Sequence, residues 1–356
     1  MKKRKQILVA FMMIVLSVML FSNAFAAKSI ASGKCGNNVA WSLSDNGVLT
    51  ISGSGKMWNY YRDKYAPWYN YRSSILKVII ANGVANIGGY AFSNCKSITN
   101  ISIPDSVTEI GEYAFWFCTS ITEITIPKRI KTIENGTFCG CESLSNITIS
   151  SSVKTIGNYS FDGCKSLKSV IIPNGVTEIG ICAFCNCKSL EKITIPNSVL
   201  YINDEAFNNC ISLTSVTLPN KLTLIDKMAF FHCQSLKSVT IPIGVITIHE
   251  AAFASCTSLS DVYYCGSKSD WRVITIHFGN DQLINANIHY NFHPLGDIDG
   301  DSEITNSDLV TIARYIVGLT ESDTKNAVEA YADMNGDGKV DNTDIVTVAR
   351  TIVGLA

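Results

Sequence analysis

Apolar residues recur at fixed intervals from about residue 75 to residue 265. Cys95, Cys118, Cys141, Cys164, Cys187, Cys210, Cys233 and Cys256 are 23 residues apart, and three residues before each stands a phenylalanine, from Phe92 to Phe253. Aliphatic residues follow most of these cysteines at three, six and eight positions, as in Leu213, Val216 and Leu218. Proline comes at nine, from Pro104 to Pro242, except for Ser150 and, in the final turn, Cys265. Further aliphatics come at twelve and fifteen, as in Val176 and Ile179. An earlier turn without the cysteine shows as Ile75, Val78, Ile80, Val84 and Ile87. The unit reads LxxIxIPxxVxxIxxxAFxxCxx, repeated eight or nine times.

The alternation in LxxIxI predicts a short strand with one apolar face. Proline ends it by removing a donor, and AFxxC supplies a second buried edge. No single turn can bury its apolar face alone, so the turns must stack into a solenoid. At about 4.8 Å per strand, nine turns make a rod roughly 40 Å long. Upstream, CGNNVAWSLSDNGVLTISGSG reads as a hairpin turning at Asp45-Asn46-Gly47. Downstream, VYYCGSKSDWRVITIHFGNDQLINANIHYNF reads as a closing cap.

This pattern resembles the leucine-rich repeats of bacterial surface antigens, the BspA-like or Treponema-pallidum-type class, over roughly residues 33–292. The resemblance implies an α/β-type repeat, a leucine-rich solenoid of parallel strands in 23-residue units, closed by that family's end pieces.

The period changes after the cap. SDLVTIARYIVGL and TDIVTVARTIVGL place aliphatics at i, i+3, i+4 and i+7, predicting two helices. Each follows an acidic twelve-residue loop, DIDGDSEITNSD and DMNGDGKVDNTD, the second beginning 36 residues after the first. NFHPLG before the first loop excludes a full entering helix there. The chain's net charge of −1 hides this segregation, because residues 296–356 carry twelve Asp/Glu against four Lys/Arg.

Calcium takes six to eight oxygens, and such a loop offers them at positions 1, 3, 5, 7, 9 and 12. In loop one these are Asp297, Asp299, Asp301, the Glu303 carbonyl, Thr305 and Asp308; in loop two, Asp333, Asn335, Asp337, the Lys339 carbonyl, Asp341 and Asp344. Ser302 replaces the usual turn glycine, which predicts weaker binding in loop one. A duplicated loop-helix with aspartate at position 12 resembles a type I dockerin, over about 295–356. The resemblance implies a small all-α domain holding two calcium ions. It also implies a partner, the cohesin domain of a cellulosome scaffoldin. Its contacts carry over to Asn306, Ser307, Ala313 and Arg314, and to Asn342, Thr343, Ala349 and Arg350. The near identity of the halves implies docking in either of two orientations.

The N-terminus sets a compartment. Four bases at Lys2–Lys5, an apolar run from Ile7 to Phe21 and Ala24-Phe25-Ala26 read as a secretory signal peptide over 1–26. The run is too short to span a bilayer, so no membrane insertion is expected. The expected order is signal peptide 1–26, N-terminal cap 27–74, solenoid with its closing cap 75–292, and dockerin 295–356. The few residues between cap and loop one would restrict the dockerin's range of angles.

Thirteen cysteines in a secreted chain suggest disulfides. Cysteines in equivalent turns, however, point inward in parallel and read as a buried, reduced ladder. A serine there, as in Cys164→Ser, would bury a hydroxyl with few partners. Cys182-x2-Cys185-x-Cys187 has the form of a zinc half-site, yet Cys182 takes the slot of Tyr113, Tyr159 and Met228 and reads as core. Cys35 and Cys265 lie at opposite ends and are not expected to pair.

Outward strand positions five and seven after each cysteine, such as Asn146/Thr148 and Ser215/Thr217, form a hydroxyl-rich face without aromatic anchors. It suits a solvated sheet surface or a protein partner. KMWNYYRDKYAPWYNYR, holding Trp58, Tyr60, Tyr61, Tyr65, Trp68, Tyr69 and Tyr71, reads as the plug over the first turn, or as a sugar-stacking platform. The histidines adjoin no nucleophile motif, and no GxSxG, HExxH or phosphate loop occurs, so no enzyme is expected. No basic stripe argues for nucleic acid. The chain therefore reads as a secreted, non-catalytic cellulosome component whose solenoid binds a protein or cell-surface ligand. A carbohydrate-binding accessory protein is the alternative, and a polysaccharide hydrolase subunit the third.

Overall fold

The computed structural model describes residues 27–292, 296–298, 304–319, 322–335 and 338–352. The leader expected over 1–26 and the 293–295 junction lie outside the described residues. Among the described residues, no helix is long and apolar enough to cross a membrane.

Three strands open the fold: Ser29–Lys34, Val39–Ser44 and Val48–Gly53. The second and third form the expected hairpin, with Gly47 in the left-handed region at φ 79° as such a turn requires. Ser29–Lys34 adds an edge strand that the pattern did not announce, because its side chains are nearly all exposed and carry no alternation. Val48–Gly53 then runs parallel to Lys77–Ile80, so the hairpin becomes the first rung of the solenoid.

Each turn contributes two short parallel strands. The first ladder runs from Lys77–Ile80 through rungs such as Asn146–Thr148 and Ser215–Thr217 to Asn287–His289. Its register is in step with the repeat: Asn146, Ile147 and Thr148 pair with Glu123, Ile124 and Thr125. Where proline stands nine after the cysteine it has no N–H to donate, and its carbonyl closes a turn. Pro104 accepts from Val107 N at 3.0 Å and Pro127 from Ile130 N at 3.1 Å. Beyond that turn lies a second ladder of two-residue strands, from Asn86–Ile87 through Thr132–Ile133 to Thr275–Ile276. Two residues hold no period to read, so this ladder showed in the sequence only as its buried aliphatics.

Between the ladders the core is a set of columns. The rings from Phe92 to Phe253 stack in sequence with centroids 5.1 to 5.5 Å apart and planes within 14° of parallel. Each is buried, a contribution of about 1.5–3 kcal/mol per ring from area alone. The ladder cysteines are buried, and none of the thirteen cysteines is in a disulfide. From Cys118 onward each thiol donates to the carbonyl of the phenylalanine 26 residues earlier, for example Cys141 to Phe115 at 3.2 Å and Cys210 to Phe184 at 3.2 Å. A hydroxyl at these positions therefore has an acceptor, contrary to the expectation for Cys164→Ser. Burial pushes the Cys95 thiol up to about 12, and those of Cys118 and Cys164 well above their usual range.

The AFxxC stretch holds its shape by going left-handed twice per turn, one and five residues before the cysteine. Asn186 and Cys182 have φ of 58° and 52°, and Asn209 and Glu205 have 61° and 57°. Glycine fills both places around Phe138, at Gly136 and Gly140.

Both ends are closed by aromatic and amide contacts. Trp68 stacks on Phe92 at 5.6 Å, meets Trp41 and Tyr60 edge-on, and donates its indole N–H to the Ala91 carbonyl at 2.8 Å. Asn86, buried, accepts from Met57 N at 2.6 Å and donates to Met57 O at 3.3 Å, clamping the cap to the first turn. Asn280 does the same at the far end, accepting from Phe253 N and donating to the carbonyls of His249 and His277. There α1 (Lys268–Val273), opened by a Ser267/Asp270 capping box, and α2 (Asp281–Ile284) bury Trp271 and Leu283.

The C-terminal region holds α3 (Asn306–Ile316), α4 (Ser322–Tyr331) and α5 (Asn342–Ile352) around Ile298, Ile312, Val328, Ala332 and Val348. Helices α3 and α5 are the two expected. The sequence reading missed α4, whose mostly polar segment has too few aliphatics to show a stripe.

Candidate calcium loops and docking faces

The two acidic loops end in matching geometry. Asp308, at position 12 of loop one, is buried and accepts from Ile298 N at 2.7 Å and Thr305 N at 2.8 Å. Asp344, its equivalent, is buried and accepts from Met334 N at 2.7 Å and Asp341 N at 2.9 Å. One carboxylate thus ties positions 2 and 9 of its loop to the first turn of the following helix. Position 9 has a second duty. The Thr305 and Asp341 side chains accept from Ser307 N and Thr343 N at the starts of α3 and α5. At loop two's first position, Asp333 accepts from Gly338 N at 2.8 Å. Asn335 donates to Thr343 Oγ1 at 2.7 Å, and Lys339 is exposed. The expected ligands Asp299, Asp301, Glu303 and Asp337 lie outside the described residues.

Three carboxylates, Asp297, Asp308 and Asp344, are wholly buried in a domain whose core is small. Buried anions are costly unless a cation or several donors compensate. A hard divalent cation among oxygen donors fits this set, and the residues at hand are those that would hold calcium.

The positions carried over as cohesin contacts match between the halves. Asn306, Ser307 and Arg314 are exposed and Ala313 half-buried; Asn342, Thr343 and Arg350 are exposed and Ala349 half-buried. Inward, Ile312 corresponds to Val348 and Leu309 to Ile345. The apolar pattern of each helix therefore places these residues on its outer side.

On the solenoid, the strand positions expected to face outward do so: Asn146, Thr148, Ser215 and Thr217 are exposed beside buried Ile147 and Val216. Ile171 stands among them, 60% exposed. The aromatic cluster divides. Trp68 is fully buried and serves as the plug, so it is unavailable for sugar stacking, whereas Trp58, Tyr61 and Tyr65 are exposed.

Residues 66–191 and 177–297 match the BspA type leucine rich repeat region, in six copies, and residues 295–353 match the dockerin type I domain. Among curated proteins none matches. Similar solved structures include a leucine-rich repeat protein from Eubacterium ventriosum, 22% identical over 65% of this chain and 84% of that one, with a TM-score of 0.40. The T. pallidum leucine-rich repeat protein is 19% identical over 81% of this chain and 96% of that one, with a TM-score of 0.31. Type I dockerins bind calcium and pair with cohesins, leucine-rich repeats serve protein binding, and neither is typically catalytic. By the repeats that fill more than half its length, the chain belongs to the BspA-type leucine-rich-repeat family, and it carries a type I dockerin domain.

Proposed function

We propose that this protein is a secreted, non-catalytic cellulosome component: its dockerin anchors it to a scaffoldin cohesin when calcium is bound, and its solenoid holds a protein partner on the strand face. One observation carries the reading. The two halves present matching quartets, Asn306/Ser307/Ala313/Arg314 and Asn342/Thr343/Ala349/Arg350, exposed except for the half-buried alanines, on helices anchored to their loops by buried Asp308 and Asp344. Two calcium ions, one per loop, follow from the two ligand sets. The leader over 1–26 would direct export, and a cohesin partner supports an extracellular, cellulosome-associated location among polysaccharide-degrading complexes.

The test is binding of the full chain to immobilised type I cohesins, with calcium and with chelator. Binding that needs calcium, survives replacement of Ser307 and Arg314 alone, and disappears when Thr343 and Arg350 are replaced as well supports the reading. Calcium-independent binding, or none to any cohesin, removes it.

A sugar-binding reading rests on exposed Trp58, Tyr61 and Tyr65. Retention on insoluble cellulose or xylan that is lost on Trp58→Ala would favour it.

A further inference from the structure

In a parallel solenoid, residues 23 apart stand side by side, and two such columns meet outside the cysteine ladder in the middle turns. One column, five residues before the ladder cysteine, contains Cys182 and Glu205. The other, two residues before it, contains Asp162 and Cys185. Cys187, which shares their local sequence motif, is not part of this group. Its thiol points into the core and donates to the Phe161 carbonyl at 3.3 Å.

The ligand atoms of Cys182, Cys185 and Glu205 all lie within 4.8 Å of one another, and Cys182 Sγ is 3.8 Å from a Glu205 carboxylate oxygen. Tetrahedral zinc, with bonds of about 2.3 Å to sulfur and 2.0 Å to oxygen, needs ligand separations of roughly 3.5–3.8 Å. The three are thus within about 1 Å of a coordinating arrangement. Asp162 lies beside Cys185 but outside the 4.8 Å group, and its carboxylate accepts from Cys139 Sγ at 3.8 Å, so as fourth ligand it would have to move in.

The ligands are already oriented. Asn208 Nδ2 donates to Glu205 Oε2 at 2.8 Å, and Asn186 Nδ2 donates to Asp162 Oδ1 at 2.9 Å and to Cys185 Sγ at 3.2 Å. Side-chain donors that fix first-sphere carboxylates and thiolates are the usual support of a metal site. A dication binds the thiolate form, so its uptake would release the thiol protons.

We propose that Cys182, Cys185 and Glu205, with Asp162 as fourth ligand, form a site for a thiophilic divalent cation of the zinc class. The site is separate from the calcium loops and chemically unlike them. Two thiolates and two carboxylates suit zinc, whereas calcium takes oxygen alone. The cation would tie three successive turns together at mid-solenoid.

The test uses the reduced full-length chain in excess calcium, so that the acidic loops are filled, titrated with cobalt(II). The expected result is one cobalt per chain with a thiolate charge-transfer band and intense tetrahedral d–d bands, both abolished by zinc. Cys182→Ser and Cys185→Ser should each weaken the thiolate band, and the double variant should lose it. Glu205→Gln should weaken binding at least about tenfold, as loss of a ligand or its support does. Cys265→Ser should change nothing. In case the variants misfold, the wild-type chain offers a second readout: zinc should protect Cys182 and Cys185 from alkylation, located by peptide mass spectrometry. Absence of a thiolate band, a band that survives loss of both cysteines, or a Cys182–Cys185 disulfide in chain isolated without oxygen would each overturn the proposal.

Discussion

The Cys164 thiol donates to the carbonyl of Phe138, 26 residues earlier and one turn away, at 3.4 Å. Every ladder cysteine from Cys118 to Cys256 repeats this bond. Cysteine thus fills the column as a small apolar residue and also crosslinks adjacent turns as a donor. Cys164→Ser keeps an acceptor and should cost less than Cys164→Ala, which loses both sulfur packing and donor, each change within about 1–2 kcal/mol. Denaturant melts of the two variants decide the order. Because burial raises the ladder thiols' pKa, they should also stay unalkylated in the native state at pH 8.

Ser160 occupies a column that is alanine at positions 91, 114, 183, 206, 229 and 252, and its fully buried hydroxyl has no partner among the described residues. Ser160→Ala should therefore stabilise the solenoid by about 1 kcal/mol or more, the usual cost of an unsatisfied buried donor. A lower denaturation midpoint for Ser160→Ala would contradict the structure.

Gly140 and Gly163 are both left-handed, with φ of 74° and 73°, but differ in surroundings. A Cβ on Gly140 would fall 2.6 Å from the Phe117 ring, whereas on Gly163 the nearest atom is 3.6 Å away. Gly163→Ala should cost about 1–2 kcal/mol, the backbone term alone. Gly140→Ala should cost more, the difference measuring how far Phe117 can move aside.

Asn86 makes both its bonds to Met57. Asn86→Leu should loosen the N-terminal cap, leaving the Met57 amide unsatisfied at a cost of about 1–3 kcal/mol. Hydrogen exchange should rise across residues 35–60 before the middle turns are affected.

Calcium removal should unfold residues 296–352 while leaving the solenoid intact, because a domain of that size is marginal on apolar burial alone and its buried carboxylates would repel one another. Replacing Asp297 and Asp333 together by alanine should mimic chelation, and either replacement alone should weaken cohesin binding less. Circular dichroism in chelator that keeps the full helical signal would count against coupled folding.

The sequence alone determined the solenoid, its strand face and its core columns. A repeated period of 23, with alternation inside it, leaves one way to bury Phe92 to Phe253 together. It also determined α3 and α5, because apolar spacing is a local quantity. The tertiary structure alone decided the second ladder, whose two-residue strands exist only through pairing with the next turn. It likewise decided helix α4, held by Val328 and Ala332 against neighbours distant in sequence. The aromatic segment could be read as plug or platform until packing placed Trp68 on Phe92 and left Trp58 outside. The run Cys182-x2-Cys185-x-Cys187 looked uniform, but stacking sent Cys187 inward and brought Glu205, 23 residues further on, to the other two. That separation is one full turn of the solenoid, so only the stacking of neighbouring turns makes the two ends neighbours.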